Sequence, residues 1–391
     1  MKKRSEREVN LLLYRSRKKM TRRNSSSREA INSIFFHKVK CRFGNDEYDA
    51  YGIPIEPPEN FSLVKNSSDV LQFLEKIREH FYVKKTPQCP YPKRRYKNWI
   101  GYYVNFTRIQ KISTAAALVL AAEFYRLKEK SHKGLNQKAN TLGLVDFDKW
   151  KTQSIVTLYN LGFLDLLDVK LHENEVTKNR ENGMRIQQFM TGNNLEPNSI
   201  SCLKDSLAQL ITNLDTVEKI KLGIYDGLCE AMTNTMDHAY QDAEIHLTKF
   251  PILKSQWWMT GSVTNCGSEI EVVFFDQGIS IPLHLPKNQS ERIREHINNI
   301  LNSKAKNDAM MIKAAMDISR SATDETNRGK GLDQIQKLIE LSEKGKLRIL
   351  SRKGEYIYGY EKGKKPKVKT NVLEGDIGGT LIHWHLIVRS G

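Results

Sequence analysis

Glu230, Asn234, Asp237 and His238 stand at i, i+4, i+7 and i+8 in one short stretch. On an α-helix this spacing puts all four polar side chains on one face and leaves Leu228, Met232 and Met236 on the others. Two acids, a carboxamide and an imidazole on one stripe are costly to pack against a core, so the stripe is expected to line a wet, charged cavity. A solvated helix face gives the same pattern. Three glycine-bearing pieces follow. Asp276-Gln277-Gly278-Ile279-Ser280 comes directly after the apolar run from Ile270 to Phe275, which reads as a buried strand ending on an acid. Asn327-Arg328-Gly329-Lys330-Gly331-Leu332 opens a helix carried by Ile335, Leu338 and Ile339, and Gly378-Gly379-Thr380 enters a strand running from Leu381 to Val388. Backbone N–H groups freed by glycines at a helix N-terminus are a favourable place for an anion.

In order and rough spacing, these four pieces resemble the nucleotide-binding boxes of the GHKL ATPase superfamily, which includes type II topoisomerases, MutL-like proteins, heat-shock chaperones, histidine kinases and anti-sigma-factor kinases. The resemblance implies an ATP and Mg2+ site. Glu230 would orient or deprotonate the attacking group, and Asn234 would hold Mg2+ bridging the phosphates, with Asp237 and His238 near the nucleotide. Asp276 would accept a hydrogen bond from the adenine amine, Gly278 would leave room for the base, and Thr380 would support the acid. Gly329 and Gly331 would form a lid over phosphate, with Arg328 and Lys330 as its cations. Ser280 stands where the second box usually carries a further glycine, and the lid has fewer glycines than is usual.

A helix from Val217 to Tyr240 carries the stripe, and strands Trp257 to Thr264 and Ile270 to Phe275 form a hairpin across Asn265-Cys266-Gly267. Lys346 to Leu350 and Tyr356 to Tyr360 supply later strands. Further toward the N-terminus, Asp69 to Tyr82 has helical spacing, Tyr102 to Ile109 reads as a strand and Ser113 to Leu127 as an alanine-dense helix. Thr141 to Phe147 reads as another strand, followed by a helix through Ile155, Leu158 and Tyr159 and the turn Asn160-Leu161-Gly162-Phe163. Strand, helix, strand, helix implies α/β crossover units. This part resembles STAS-type, anti-sigma-antagonist domains, in which Ser113 and Thr114 would occupy the strand-to-helix junction; the usual acid before the acceptor Ser is missing, which favours a packing or capping role for them.

The expected class is therefore α/β: a two-layer GHKL sandwich over 201–391 behind a STAS-like domain at 101–172. A basic arm over 1–42, a linker and helix over 43–100, where Pro54, Pro57 and Pro58 punctuate an aperiodic run, and a polar connection over 173–200 complete the division. Residues 1–28 hold eleven Lys or Arg against Glu6 and Glu8, within a chain of net charge +17. Such an arm attracts nucleic acid or another polyanion by charge alone, or is simply solvated; a mitochondrial presequence is also Arg- and Ser-rich but is normally poor in acids. Lys93, Arg94, Arg95 and Lys97 beside Tyr91, Tyr96 and Trp99 have the composition of a single-strand binding loop or of an exposed basic one. Five cysteines, odd in number and widely spaced, imply neither a disulfide framework nor a zinc site, so a cytoplasmic location is expected. No apolar run of eighteen residues is present, so no membrane span is expected. The expected activity is ATP hydrolysis coupled to lid closure. Phosphate transfer to a protein Ser or Thr, or nucleic-acid binding switched by ATP, are the alternatives. Many relatives dimerise, which adds a protein partner or second copy.

Overall fold

The computed structural model describes residues 37–43, 46–84, 98–132, 144–169, 184–209, 214–240, 250–264, 267–285, 307–321 and 331–388. The basic arm before residue 37, the aromatic-basic loop of 85–97 and the lid residues Arg328, Gly329 and Lys330 lie outside them.

Strands β1 (His37–Phe43) and β2 (Asp46–Ile55) form an antiparallel hairpin. Helix α1 (Ser67–Arg78) then crosses over to β4 (Trp99–Val104), parallel to β2, while the short β3 (Asn60–Phe61) pairs with β5 (Lys111–Ile112). Helix α2 (Thr114–His132), β6 (Leu144–Val145), α3 (Thr152–Leu161) and α4 (Phe163–Leu166) follow. The smaller sheet has the order β4-β2-β1-β6. Thus β4 and β6 lie at opposite edges and do not pair.

Two expectations are corrected here. Residues 46–55 form a strand, not an aperiodic linker, because the inward positions are Tyr48, Ala50 and Gly52, too small a set to announce a period of two. Gly52 is required by close packing, since a Cβ there would lie 2.7 Å from Ile100. Second, Tyr102 to Ile109 does not continue as a strand: β4 stops at Val104 and Phe106–Arg108 form a 3-10 turn.

A larger sheet carries the candidate site. Its strands are β7 (Met184–Ile186), β8 (Met190–Gly192), β9 (Trp257–Thr264), β10 (Glu269–Asp276), β11 (Lys344–Ser351), β12 (Gly354–Glu361), β13 (Lys367–Val372) and β14 (Thr380–Ile387). Their order is β13-β12-β11-β14-β10-β9-β7, with β8 also on β9. The hairpin expected at 257–275 is present with Val272 opposite Gly261. Residues 184–192, read as part of a polar connection, pair antiparallel with β9 and belong to this sheet.

Helices α5 (Pro197–Ala208), α6 (Leu214–Asn234), α7 (Ile281–His284), α8 (Asp308–Ser321) and α9 (Gly331–Glu340) complete the described elements. Alternation along the strands divides the apolar side chains between two cores. Trp257, Met259, Val272, Phe274, Ile349 and Ile382 pack with α5, α6, α8 and α9 on one face. Trp258, Val273, Phe275, Leu350 and Leu381 pack with α1, α2 and α3 on the other. The class is α/β as expected, but this sheet is covered on both faces, so the two-layer expectation gives way to three layers. At roughly 1.5–3 kcal/mol per fully buried apolar side chain, the second group of five contributes about 10 kcal/mol, comparable with the net stability of a whole domain. The N-terminal helices are therefore part of the framework of this sheet.

Candidate functional site

Glu230 and Asn234 occupy the last turns of α6, half-buried, one helical turn apart. Asn234 Nδ2 donates to Glu230 Oε1 at 2.9 Å. This bond orients the carboxamide and directs its oxygen, a hard ligand, away from the acid. Burial raises the Glu230 carboxyl above the ordinary range; the Asn234 bond and His238 pull it down, and Asp237 pushes it up.

The helix does not continue in α form. Thr235 Oγ1 donates to the Ala231 carbonyl at 2.9 Å, a back-bond that perturbs the i→i−4 ladder. From Thr235 to Ala239 the chain makes a π turn, a widening found often at functional sites. Asp237 and His238 are thereby rotated out of the α phase and are exposed, so the single four-residue stripe is corrected to a Glu230–Asn234 pair with two neighbours at its rim. The His238 ring lies 4.7 Å from that of His284 on α7. Desolvation, then the nearby His284, lowers its pKa.

Asp276 ends β10 opposite Thr380, the first residue of β14. The acid is buried, and its Oδ1 accepts from the Gly278 N–H at 2.9 Å. Desolvation pushes its pKa up to about 7, against backbone hydrogen bonds from Gly278 and Thr380. Among the described residues no Lys or Arg pairs with it. Gly278 is docked against the end of the π turn: a Cβ there would lie 2.3 Å from the Ala239 carbonyl oxygen, which accepts from the Ile279 N–H at 2.8 Å. The room expected at Gly278 for a base is thus filled by backbone, which latches the Asp276 loop to the helix bearing Glu230 and Asn234.

Several contributors escaped the sequence reading. Tyr240 OH accepts from the Gln277 N–H at 3.0 Å and donates to the Gln256 carbonyl at 2.5 Å. Ser351, which ends β11, lies 2.9 Å from Thr380 Oγ1 and accepts from the Ile281 N–H at 3.0 Å. No local pattern marks Ser351, because its role comes from register with a strand 29 residues further on. Ser280 has φ +77° and a buried hydroxyl without a hydrogen-bond partner among the described residues. With ψ 152° this serine lies in a region occupied essentially by glycine, at a cost of about 1–3 kcal/mol, so Ser280→Gly is expected to raise stability by about 1 kcal/mol after the entropy cost of glycine, measured by urea unfolding. Gly331 is the first residue of α9, and Ser319 Oγ on α8 accepts from the Asp333 N–H in its first turn at 3.1 Å.

No protein-family model matches the chain, and no curated protein matches it. The site accordingly rests on its own geometry. The structure brings together Glu230 with Asn234, Asp276 with Thr380, and Gly278 with the end of the helix that carries the first pair. Among the described residues no group of three or more His, Cys, Asp or Glu could hold a metal ion. A single carboxamide oxygen beside phosphate oxygens and waters is a sufficient protein contribution for magnesium. None of the helices described is long and apolar enough to cross a membrane.

Proposed function

We propose that the chain binds ATP with Mg2+ and hydrolyses it, in a GHKL-like sheet whose second face is covered by the N-terminal helices. The observation that carries this reading is Asp276: a buried carboxylate with backbone donors but no cation among the described residues, beside Thr380, on a loop latched to the helix of Glu230 and Asn234. A carboxylate left without a counter-charge in a dry site suits a ligand that brings a neutral donor, as the adenine amine does. Asn234 would offer its oxygen to the metal, which when bound neutralises phosphate charge. Glu230 holds Asn234 in that orientation, and a carboxyl of raised pKa is the stronger base for taking a proton from water. Arg328, Lys330, Gly329 and Gly331 would close over phosphate.

Titration calorimetry with ATP and GTP tests the reading. Guanine presents an acceptor oxygen where adenine presents the amine, and one mismatched buried hydrogen bond costs about 1–3 kcal/mol. GTP is therefore expected to bind roughly five- to 150-fold more weakly, and equal affinities would remove Asp276 from the base site. ATP is further expected to bind weakly without magnesium, and Asn234→Ala to abolish the magnesium-dependent gain. Identical magnesium dependence in the variant and the wild type would take Asn234 off the metal.

A further inference from the structure

The glycine turn that leads into Thr380 is held from two sides. On one side is Asp276: a Cβ at Gly379, whose φ is +148°, would lie 1.9 Å from the Asp276 carbonyl oxygen. On the other is Arg78, the last residue of α1: a Cβ at Gly378, with φ +74°, would lie 2.7 Å from its guanidinium carbon. Arg78 Nη1 donates to the Asp376 carbonyl at 2.7 Å and Nη2 to the Ile377 carbonyl at 2.5 Å. The planar guanidinium fork meets these two consecutive carbonyls with two N–H groups whose geometry is preset. The rest of the turn lies along the same helix, with the Asp376 N–H on Glu75 Oε1 at 3.0 Å and Gly375 against Leu71.

Arg78 is fully buried and shares Glu123 of α2 with Arg126; Glu123 is likewise fully buried and Arg126 almost so. Two guanidiniums and one carboxylate leave a net positive charge inside the core. Burying it is expensive, and apolar residues of similar volume would join two helices as well or better. Arg126 also lies in the field of Tyr240, whose hydroxyl holds the Gln277 N–H on the far side of Asp276. The glycine turn beside Asp276 is thus held directly by a buried charge group that belongs to the N-terminal helices.

We propose that Arg78 is a positioning residue for the base-binding edge: it seats the Gly378–Gly379 turn against Asp276, so that occupancy of that edge is felt by α1 and α2. The coupling to occupancy rests on the ATP reading above; the seating of the turn does not. α1 and α2 are accordingly the route by which a bound base and the smaller sheet influence one another.

Arg78→Lys keeps the charge and loses the fork. In the full chain, cooperative unfolding is expected to persist while ATP affinity falls at least tenfold and the preference for ATP over GTP shrinks toward unity. In the wild type, ATP is expected to slow hydrogen exchange in 67–78 and 114–132. A folded Arg78→Lys protein with affinity and base preference within twofold of wild type overturns the proposal, as does exchange in 67–78 that ignores ATP when ATP binds. If Arg78→Lys does not fold, Glu75→Ala removes the acceptor of the Asp376 N–H and weakens the same seat, and a two- to fivefold loss of ATP affinity supports the proposal while no loss overturns it. If the wild type binds no ATP, the function proposed above fails, and nucleotide-free exchange decides the seating alone. Faster exchange at Gly378 and Thr380 in either folded variant supports it, and unchanged exchange overturns it.

Discussion

Glu230→Gln is expected to keep ATP affinity within a few-fold of wild type while phosphate release falls about 100-fold or more, the usual range for loss of a general base. The structure makes this substitution cleaner than truncation. Glutamine retains an oxygen to accept from Asn234 Nδ2, so the 2.9 Å bond that orients the carboxamide survives. Glu230→Ala would release Asn234 as well and mix positioning with chemistry. The wild-type rate should rise with pH through an acid limb above the usual carboxylate range, because burial raises the Glu230 pKa and only the ionised form accepts a proton. That limb should be missing from the glutamine variant. Equilibrium binding and phosphate release on the same two proteins check the prediction. Unchanged turnover with weakened binding would make Glu230 a positioning group and end the catalytic assignment.

Asp276→Asn is expected to make the protein more stable and less able to bind ATP. In the wild type the folded carboxyl titrates near 7 and the unfolded one near 3.8. Below the lower value both states are protonated and stability is fully present. As pH rises, the unfolded chain releases the proton first, so stability is lost up to about pH 7 and is flat above it. The gap corresponds to about 4 kcal/mol. Asparagine has no such titration and can still accept from the Gly278 N–H, but it introduces an amide donor that needs a partner, costing about 1–3 kcal/mol. The net gain is expected to be about 1–3 kcal/mol at pH 8 and to vanish or reverse at pH 4. That same donor faces the adenine amine, which predicts a loss of affinity of roughly five- to 150-fold. Urea unfolding at the two pH values, with calorimetry on ATP, tests both parts. A variant destabilised at pH 8 would show that the carboxylate has a structural partner, and retained binding would remove it from the base site.

What was legible followed from how locally each feature is written. Strands β10 and β14 announce themselves as apolar runs entered or left through glycine, and Asp276, Gly278 and Thr380 stand out by type at their ends. β2 was missed because its inward residues include Ala50 and Gly52, the glycine small by necessity beneath Ile100 and Tyr103. β7 and β8 are three residues each, and only their pairing with β9 makes them strands. Within the site, helical phase placed Glu230 beside Asn234 correctly but failed after Thr235, because one side-chain bond to Ala231 shifts the helix into a π turn. Arg78 and Ser351 were invisible for a different reason. Their partners are 298 and 29 positions away, at Asp376 and Thr380, and no periodicity carries information across such separations.

The place of β14 has a consequence for how the molecule comes into being. It is the last described strand, yet it lies between β10 and β11 and bonds to both along their length. Until residues 380–387 have been made, those two strands have nothing to join them, and the apolar sides of α1 and α2, made about 300 and about 250 residues earlier, have only part of their partner surface. Contacts of such long sequence separation close slowly, and the waiting surfaces are open to wrong partners meanwhile. A chain terminated just before Thr380 would lose far more than one strand: it would be left as two half-sheets without a seam, a natural client for a chaperone and not a shortened version of the same protein.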